Sequence, residues 1–140
     1  MSKVKKHILL IDDDEINNFL SREIINLYMP LTKVDSFTNP EEALEYIREK
    51  LKLQQPLPDI ILLDINMPLM SGFEVAEEAA PLIAGKSSIV LVMLTSSGSP
   101  DDMERARSMK IIKGYVTKPL GTAAVSALLE GAVPTFDGKS

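Results

Sequence analysis

The sequence has no cysteine, so it can form neither a disulfide framework nor a thiolate metal site. It has no apolar run long enough for a membrane-spanning helix. The opening Met1-Ser2-Lys3-Val4-Lys5-Lys6-His7 is not followed by a signal-peptide pattern ending in small residues. Together these absences point to a soluble, cytoplasmic chain without a membrane partner. Positive charge is in the minority: 15 Lys and Arg face 20 Asp and Glu, a net charge of −5, which disfavours nucleic acid as a partner. Internal repeats and low-complexity segments are also missing. What remains is 140 residues with 45% hydrophobic content, enough for one domain with a real core.

The most informative stretch is Asp59–Gly72. Ile60 to Leu63 are apolar at every position, so both faces of that strand must be covered, as in a parallel sheet packed between helices. The run ends in the lone carboxylate of Asp64. Asn66-Met67-Pro68 then turns the chain, because proline lacks a donor and biases Met67 away from helix. Ser71-Gly72-Phe73-Glu74 fits a capping box that opens a helix over about 72–83.

The same grammar recurs along the chain. His7–Ile11 is an apolar strand ending in Asp12-Asp13-Asp14-Glu15, after which Ile16, Phe19, Leu20, Ile24 and Leu27 recur at helical spacing up to Pro30. Lys33–Phe37 is a short strand. Asn39-Pro40-Glu41-Glu42 starts a helix that buries Ala43, Leu44, Ile47 and Leu51. The spacing further predicts a strand over Ser88–Thr95, a helix from Ser99-Pro100, a strand over Gly114–Thr117 and a last helix over about 122–131. Five βα units in series imply an α/β fold: a doubly wound parallel sheet with right-handed crossovers and helices on both faces.

In such a sheet the carboxyl ends of the strands share one crevice. Asp12 and Asp13 follow the first strand and Asp64 the third, Thr95 ends the fourth, and Lys118 follows the fifth. Singly, each has an ordinary use as a cap, a turn residue or a solvated lysine. Jointly they point to a site. Two carboxylates 4 Å apart repel by about 4 kcal/mol at an effective dielectric of 20, so three of them call for a cation. Oxygen ligands without Cys or His suit Mg²⁺. A metal, an ammonium and a hydroxyl around one carboxylate form a phosphoryl-binding constellation, with Asp64 as the nucleophile.

Four segments carry a family resemblance: Ile8-Leu9-Leu10-Ile11-Asp12-Asp13-Asp14, Asp64-Ile65-Asn66-Met67-Pro68-Leu69-Met70-Ser71-Gly72, Met93-Leu94-Thr95-Ser96 and Gly114-Tyr115-Val116-Thr117-Lys118-Pro119-Leu120. With them the chain resembles the receiver domains of bacterial two-component response regulators. The resemblance implies a flavodoxin-like (βα)5 sandwich with strand order 2-1-3-4-5, a receiver domain over 1–133 and a polar tail over 134–140. It implies a receiver that stands alone or is a fragment of a longer chain. Such a receiver is a phosphoacceptor rather than an enzyme acting on other molecules, and it catalyses its own phosphorylation and dephosphorylation.

By that resemblance Asp64 is the phosphoacceptor. Asp13 is a direct metal ligand, Asp12 acts largely through water, and the Asn66 carbonyl completes the set around Mg²⁺, for which Mn²⁺ substitutes. Thr95 is the switch hydroxyl and Lys118 pairs with the phosphoryl group, next to a cis peptide at Pro119. Tyr115 is the switch aromatic, and its ring is expected to pass from exposed to buried on phosphorylation. Ser96 borders Thr95, and Asn66 and Ser97 flank the path of the hydrolytic water. The implied donor is a histidine kinase or phosphotransfer protein. The implied output is a downstream protein target met through the fourth helix, fifth strand and fifth helix, by a monomer or weak dimer.

Three positions depart from the family pattern. Ser71 replaces the usual Asp, Ile111 a common helix-ending Gly, and Gly121 a usual Ser or Thr cap. Two other classes fit less well. A haloacid-dehalogenase-like phosphatase needs an acid–base aspartate where Asn66 stands. A flavodoxin needs a phosphate-cradling loop where Asp12-Asp13-Asp14 would repel phosphate.

Overall fold

Adjacent residues of a strand point to opposite faces, so a strand without polar alternation must have cover on both sides. A computed structural model, which describes residues 6–86, 88–96 and 98–130, shows how that cover is supplied. The elements are β1 (His7–Ile11), α1 (Glu15–Tyr28), β2 (Lys33–Phe37), α2 (Pro40–Lys52), β3 (Ile60–Leu63), α3 (Gly72–Ile83), β4 (Val90–Thr95), α4 (Pro100–Ser108), β5 (Ile112–Thr117) and α5 (Thr122–Leu129). The five strands are parallel in the order β2-β1-β3-β4-β5. Leu9, Ile11, Ile61, Leu63, Leu91 and Met93 share a core with α2, α3 and α4. Their neighbours Ile8, Leu10, Ile60, Leu62, Val92 and Leu94 share a second core with α1 and α5. Among the described residues, no helix is long and apolar enough to cross a membrane.

The helix starts follow the sequence. Ser71 and Glu74 form both halves of the capping box, and Asn39 and Ser99 cap α2 and α4 ahead of a proline. Gly121 caps α5 without a side-chain bond, as its missing hydroxyl dictates. Two strand boundaries move. β4 starts at Val90, two residues later than expected, and β5 starts at Ile112, two earlier, with a register shift opposite Leu91 and Val92. At the far end of the sheet from Asp64, Tyr46 of α2 donates to Asp35 Oδ2 on the edge strand (2.7 Å), and His7 Nε2 lies 2.8 Å from the same oxygen. Burial would push the Asp35 carboxyl up, but these two hydrogen bonds and the neighbouring His7 and Lys33 charges hold it down.

The face of α1 departs from its apolar periodicity. Ile16, Phe19, Leu20 and Leu27 are 68%, 56%, 56% and 78% exposed, whereas Asn18, Ser21 and Ile25 are buried. Polar tethers set this orientation. Asn18 Nδ2 donates to the Asp12 carbonyl (2.9 Å) and, at longer range, to that of Phe37 (3.5 Å). Arg22 donates to Ser36 Oγ at 3.0 Å, and Tyr28 donates to Ser126 Oγ of α5 at 2.7 Å. The helix is held inward by these groups, and the apolar stripe is left on the outside except at Ile24, which packs half-buried against the second core.

Leu63 is fully buried, so Leu63→Ala is expected to destabilise the domain by about 2–5 kcal/mol. Leu27→Ala, on the outer face of α1, should cost less than about 0.5 kcal/mol. Urea midpoints at constant slope measure both, and comparable losses would mean that the α1 stripe is packed after all.

Candidate functional site

β1 and β3 are neighbours, and their carboxylates leave the sheet side by side. Asp64 N–H donates to the Ile11 carbonyl at 2.9 Å, which fixes the start of the loop after β3. Gly72 then closes the loop back on itself. Its N–H donates to the Ile65 carbonyl (2.8 Å), and a Cβ at residue 72 would lie 2.2 Å from the Asp64 carbonyl oxygen. Only glycine permits that approach, so the first turn of α3 is pressed against the backbone of Asp64. Asn18 holds the Asp12 carbonyl in the same way from α1. Gly72 and Asn18 are site-building residues that the sequence pattern does not single out. The one available hint is a glycine at a first helical position, where most residues would serve.

One oxygen from each of Asp12, Asp13 and Asp64 falls within a group spanning 4.8 Å. Asp12 and Asp64 are buried, at 6% and 5% exposure, and Asp13 is exposed at the mouth. Lys118 reaches in from the loop after β5, its Nζ 2.5 Å from Asp12 Oδ2 and 3.6 Å from Asp64 Oδ2. Its peptide bond to Pro119 is cis, and it is placed by its own N–H, which donates to the Thr95 carbonyl at 2.8 Å. Thr95 is fully buried, and its hydroxyl and the Asn66 N–H both donate to the Asp64 carboxylate. Ser96 lines a 320 Å³ cavity with Lys118, Pro119 and Leu20. Ser97 lies outside the described residues.

Burial is the largest influence on Asp64 and pushes its carboxyl up. The Lys118 ammonium pulls it down, Asp12 pushes it up again, and the bonds from Thr95 and Asn66 pull it down, leaving it above the ordinary range. One ammonium thus serves a cluster of three carboxylates. The donor set is all oxygen, one acid is open to solvent, and charge is left to balance. That chemistry fits a hard divalent cation such as Mg²⁺, held by Asp12, Asp13 and Asp64 with waters completing its shell. A larger cavity of 590 Å³ lies at the opposite end of the sheet, where Gln54, Pro58 and Ile89 line it far from these groups.

Tyr115, the expected switch aromatic, is buried at 3% exposure, in the same core as Met93, its register partner on β4, and the fully buried Ala106 of α4.

Residues 8–130 match the family model of the response regulator receiver domain. The chemotaxis protein CheY of Halobacterium salinarum is 32% identical over 120 residues, 86% of this chain and 90% of that one. The PhoB phosphate regulon regulator of Rhizobium meliloti is 30% identical over 91% of this chain but only 53% of its own length. A crystal structure of a two-component response regulator from Cytophaga hutchinsonii superposes with a TM-score of 0.83 at 31% identity, covering 92% of this chain and 97% of that one. The phosphorylated cyanobacterial phytochrome response regulator RcpA gives 0.72 at 26% identity, covering 91% of each chain.

The raised Asp64 carboxyl has a testable sign. The folded chain binds this proton more tightly than the unfolded chain does, so stability falls as pH rises from the ordinary carboxylate range through the raised folded value. Without metal, Asp64→Asn is expected to melt higher than wild type at pH 7. The gap should close as pH falls to the ordinary carboxylate range. Melting curves from pH 4 to 7 in chelator test this, and a variant less stable than wild type at pH 7 contradicts it.

Proposed function

The chain belongs to the response regulator receiver domain family, and from that membership we propose that Asp64 accepts a phosphoryl group from a phosphohistidine donor. The observation that carries the reading is the buried Asp64 carboxylate with Lys118, Thr95, Asp12 and Asp13 gathered around it. An Asp64 oxygen attacks phosphorus, the phosphorus–nitrogen bond breaks, and the imidazole nitrogen leaves with the electron pair. The product is an acyl phosphate. Asp12, Asp13, Asp64 and the Asn66 carbonyl would hold Mg²⁺, which would supply charge neutralisation for the transferring oxygens. Lys118 gives up part of its contact with Asp12 to pair with one phosphoryl oxygen. The Thr95 hydroxyl turns from the carboxylate to another. Water later cleaves the acyl phosphate, restoring the carboxylate and releasing phosphate, on a path bordered by Asn66.

The donor is a histidine kinase or a phosphotransfer protein, in the cytoplasm. To reach Asp64 it must cover the mouth, which Leu20 borders beside Lys118. The exposed stripe of Ile16, Phe19, Leu20 and Leu27 extends that border along α1 and supports its use as the donor's seat. The output is contact with a downstream protein. Thr95 at the end of β4 and Tyr115 on β5 are the residues through which phosphorylation is read at that surface. A ligand shifts a population only as far as it prefers one state, so the size of the response follows from how much better the phosphoryl group binds the inward arrangement.

Incubated with acetyl phosphate and Mg²⁺, the protein should gain one base-labile phosphoryl group by intact mass spectrometry, and Asp64→Asn none. Labelling of Asp64→Asn at the native rate would sink the assignment. Asp13→Ala is expected to weaken Mg²⁺ binding at least tenfold, on the order of 1.4 kcal/mol, and to flatten the rise in melting temperature that Mg²⁺ gives the wild type. A wild type indifferent to millimolar Mg²⁺ would leave Asp12 and Asp13 without a metal role, since Asp14 caps α1.

The aromatic NMR signals of Tyr115 should move when beryllofluoride, standing in for the phosphoryl group, is added to the wild type, and should not move in Thr95→Ala. An equal response in both proteins would mean that the coupling runs by another route.

A further inference from the structure

Net negative charge makes any gathering of unpaired cations on this chain notable. On the face of α4 two cations are engaged: Arg105 lies over the Phe73 ring at 4.3 Å, and Arg107 pairs with Glu104 at 2.9 Å. Lys110 and Lys113, beside them in sequence, behave differently. With Lys86, from the loop after α3, they surround a groove of about 400 Å³ whose floor and wall are Ile83, Ile89 and Ile111. Ile83 and Ile89 are 4% and 7% exposed, so the floor is fixed core rather than loose side chains. All three lysines are exposed, no acid lines the groove, and among the described residues none of the three has a carboxylate within ion-pair distance.

Lysines spread over a solvated face need no explanation. Three that line one groove with an apolar floor, in a chain where acids outnumber bases, suit an occupant that is apolar in the middle and anionic at the edges. Nucleic acid fits poorly, since the groove has no aromatic or arginine on which a base could stack and the net charge repels a polyanion. An acidic peptide fits well: one apolar side chain fills the floor while flanking carboxylates meet ammoniums that can swing on long stems.

We propose that this groove between α3 and the α4–β5 connection docks an acidic segment of a partner protein through one apolar anchor and two or more carboxylates. Ile89 precedes β4 and Ile111 precedes β5, whereas Asp64 follows β3, so the groove opens at the end of the parallel sheet opposite the phosphoacceptor. Its occupancy is therefore separate from phosphoryl transfer, and a partner held there leaves the mouth at Asp64 clear.

The test uses methyl NMR of the whole chain titrated with the peptide acetyl-Glu-Glu-Leu-Phe-Glu-Glu-amide. Saturable shifts at the Ile83, Ile89 and Ile111 methyls are expected, with none from the analogue in which every Glu is Lys. The double variant Lys110→Glu, Lys113→Glu should bind about tenfold or more weakly, and Lys110→Gln, Lys113→Gln should show an intermediate loss if charge reversal harms folding. Both variants should still accept a phosphoryl group from acetyl phosphate at the native rate. The proposal is overturned if the three methyls do not move, if they move equally in the charge variants, or if they respond only to phosphatidylglycerol vesicles, which would assign the groove to a membrane surface.

Discussion

A carboxylate withdrawn from water at the end of a buried strand is the constraint on which this structure turns. Asp64 is 5% exposed and sits beside a second buried acid, an arrangement that neither hydrophobic burial nor a single ammonium balances. Much of the surrounding architecture is compensation for it. Lys118 reaches in from the loop after β5, Thr95 and the Asn66 N–H are aimed at the carboxylate, and Asp13 stands open at the rim. Pieces of four strands meet there because a parallel sheet delivers all its carboxyl ends to one side. Residual negative charge at such a point is a binding site for whatever neutralises it, which is why stability and function draw on the same few groups.

The strands and the acceptor cluster were legible because their signals are local. An apolar run without alternation, ended by a polar residue, is a buried strand with a strand-end group, and Ile60–Leu63 with Asp64 shows this most clearly. Caps at Asn39, Ser71 and Ser99 were legible for the same reason. The orientation of α1 was not. Apolar periodicity marks the buried side only when hydrophobic packing decides the matter. Here Asn18 and Arg22 decide it by reaching backbone and side-chain acceptors near β2, up to 19 residues away, a relation no local pattern encodes.

The closeness of Gly72 to the Asp64 carbonyl adds a mechanical side to the same design. Asp64 is not on a free loop. Its backbone is fixed from β1 through the Ile11 carbonyl and from α3 through the glycine contact, so its carboxylate is presented in one orientation. Preorganisation of this kind suits a reaction whose catalysis is mostly positioning and charge.

The outer face of α1 has a consequence for how such domains diversify. Because polar tethers on the other side carry the helix's attachment, the residues at 16, 19, 20 and 27 are spared any duty to the core. They can be exchanged with little loss of stability, while the acids, lysine and threonine at the sheet's end stay as they are. If the donor sits on this face, as proposed, two descendants of one ancestor keep identical chemistry and identical scaffolds, yet cease to answer each other's signals after a handful of substitutions. Insulation between parallel signalling routes would then be a matter of surface lettering, free to drift apart as soon as a gene is duplicated.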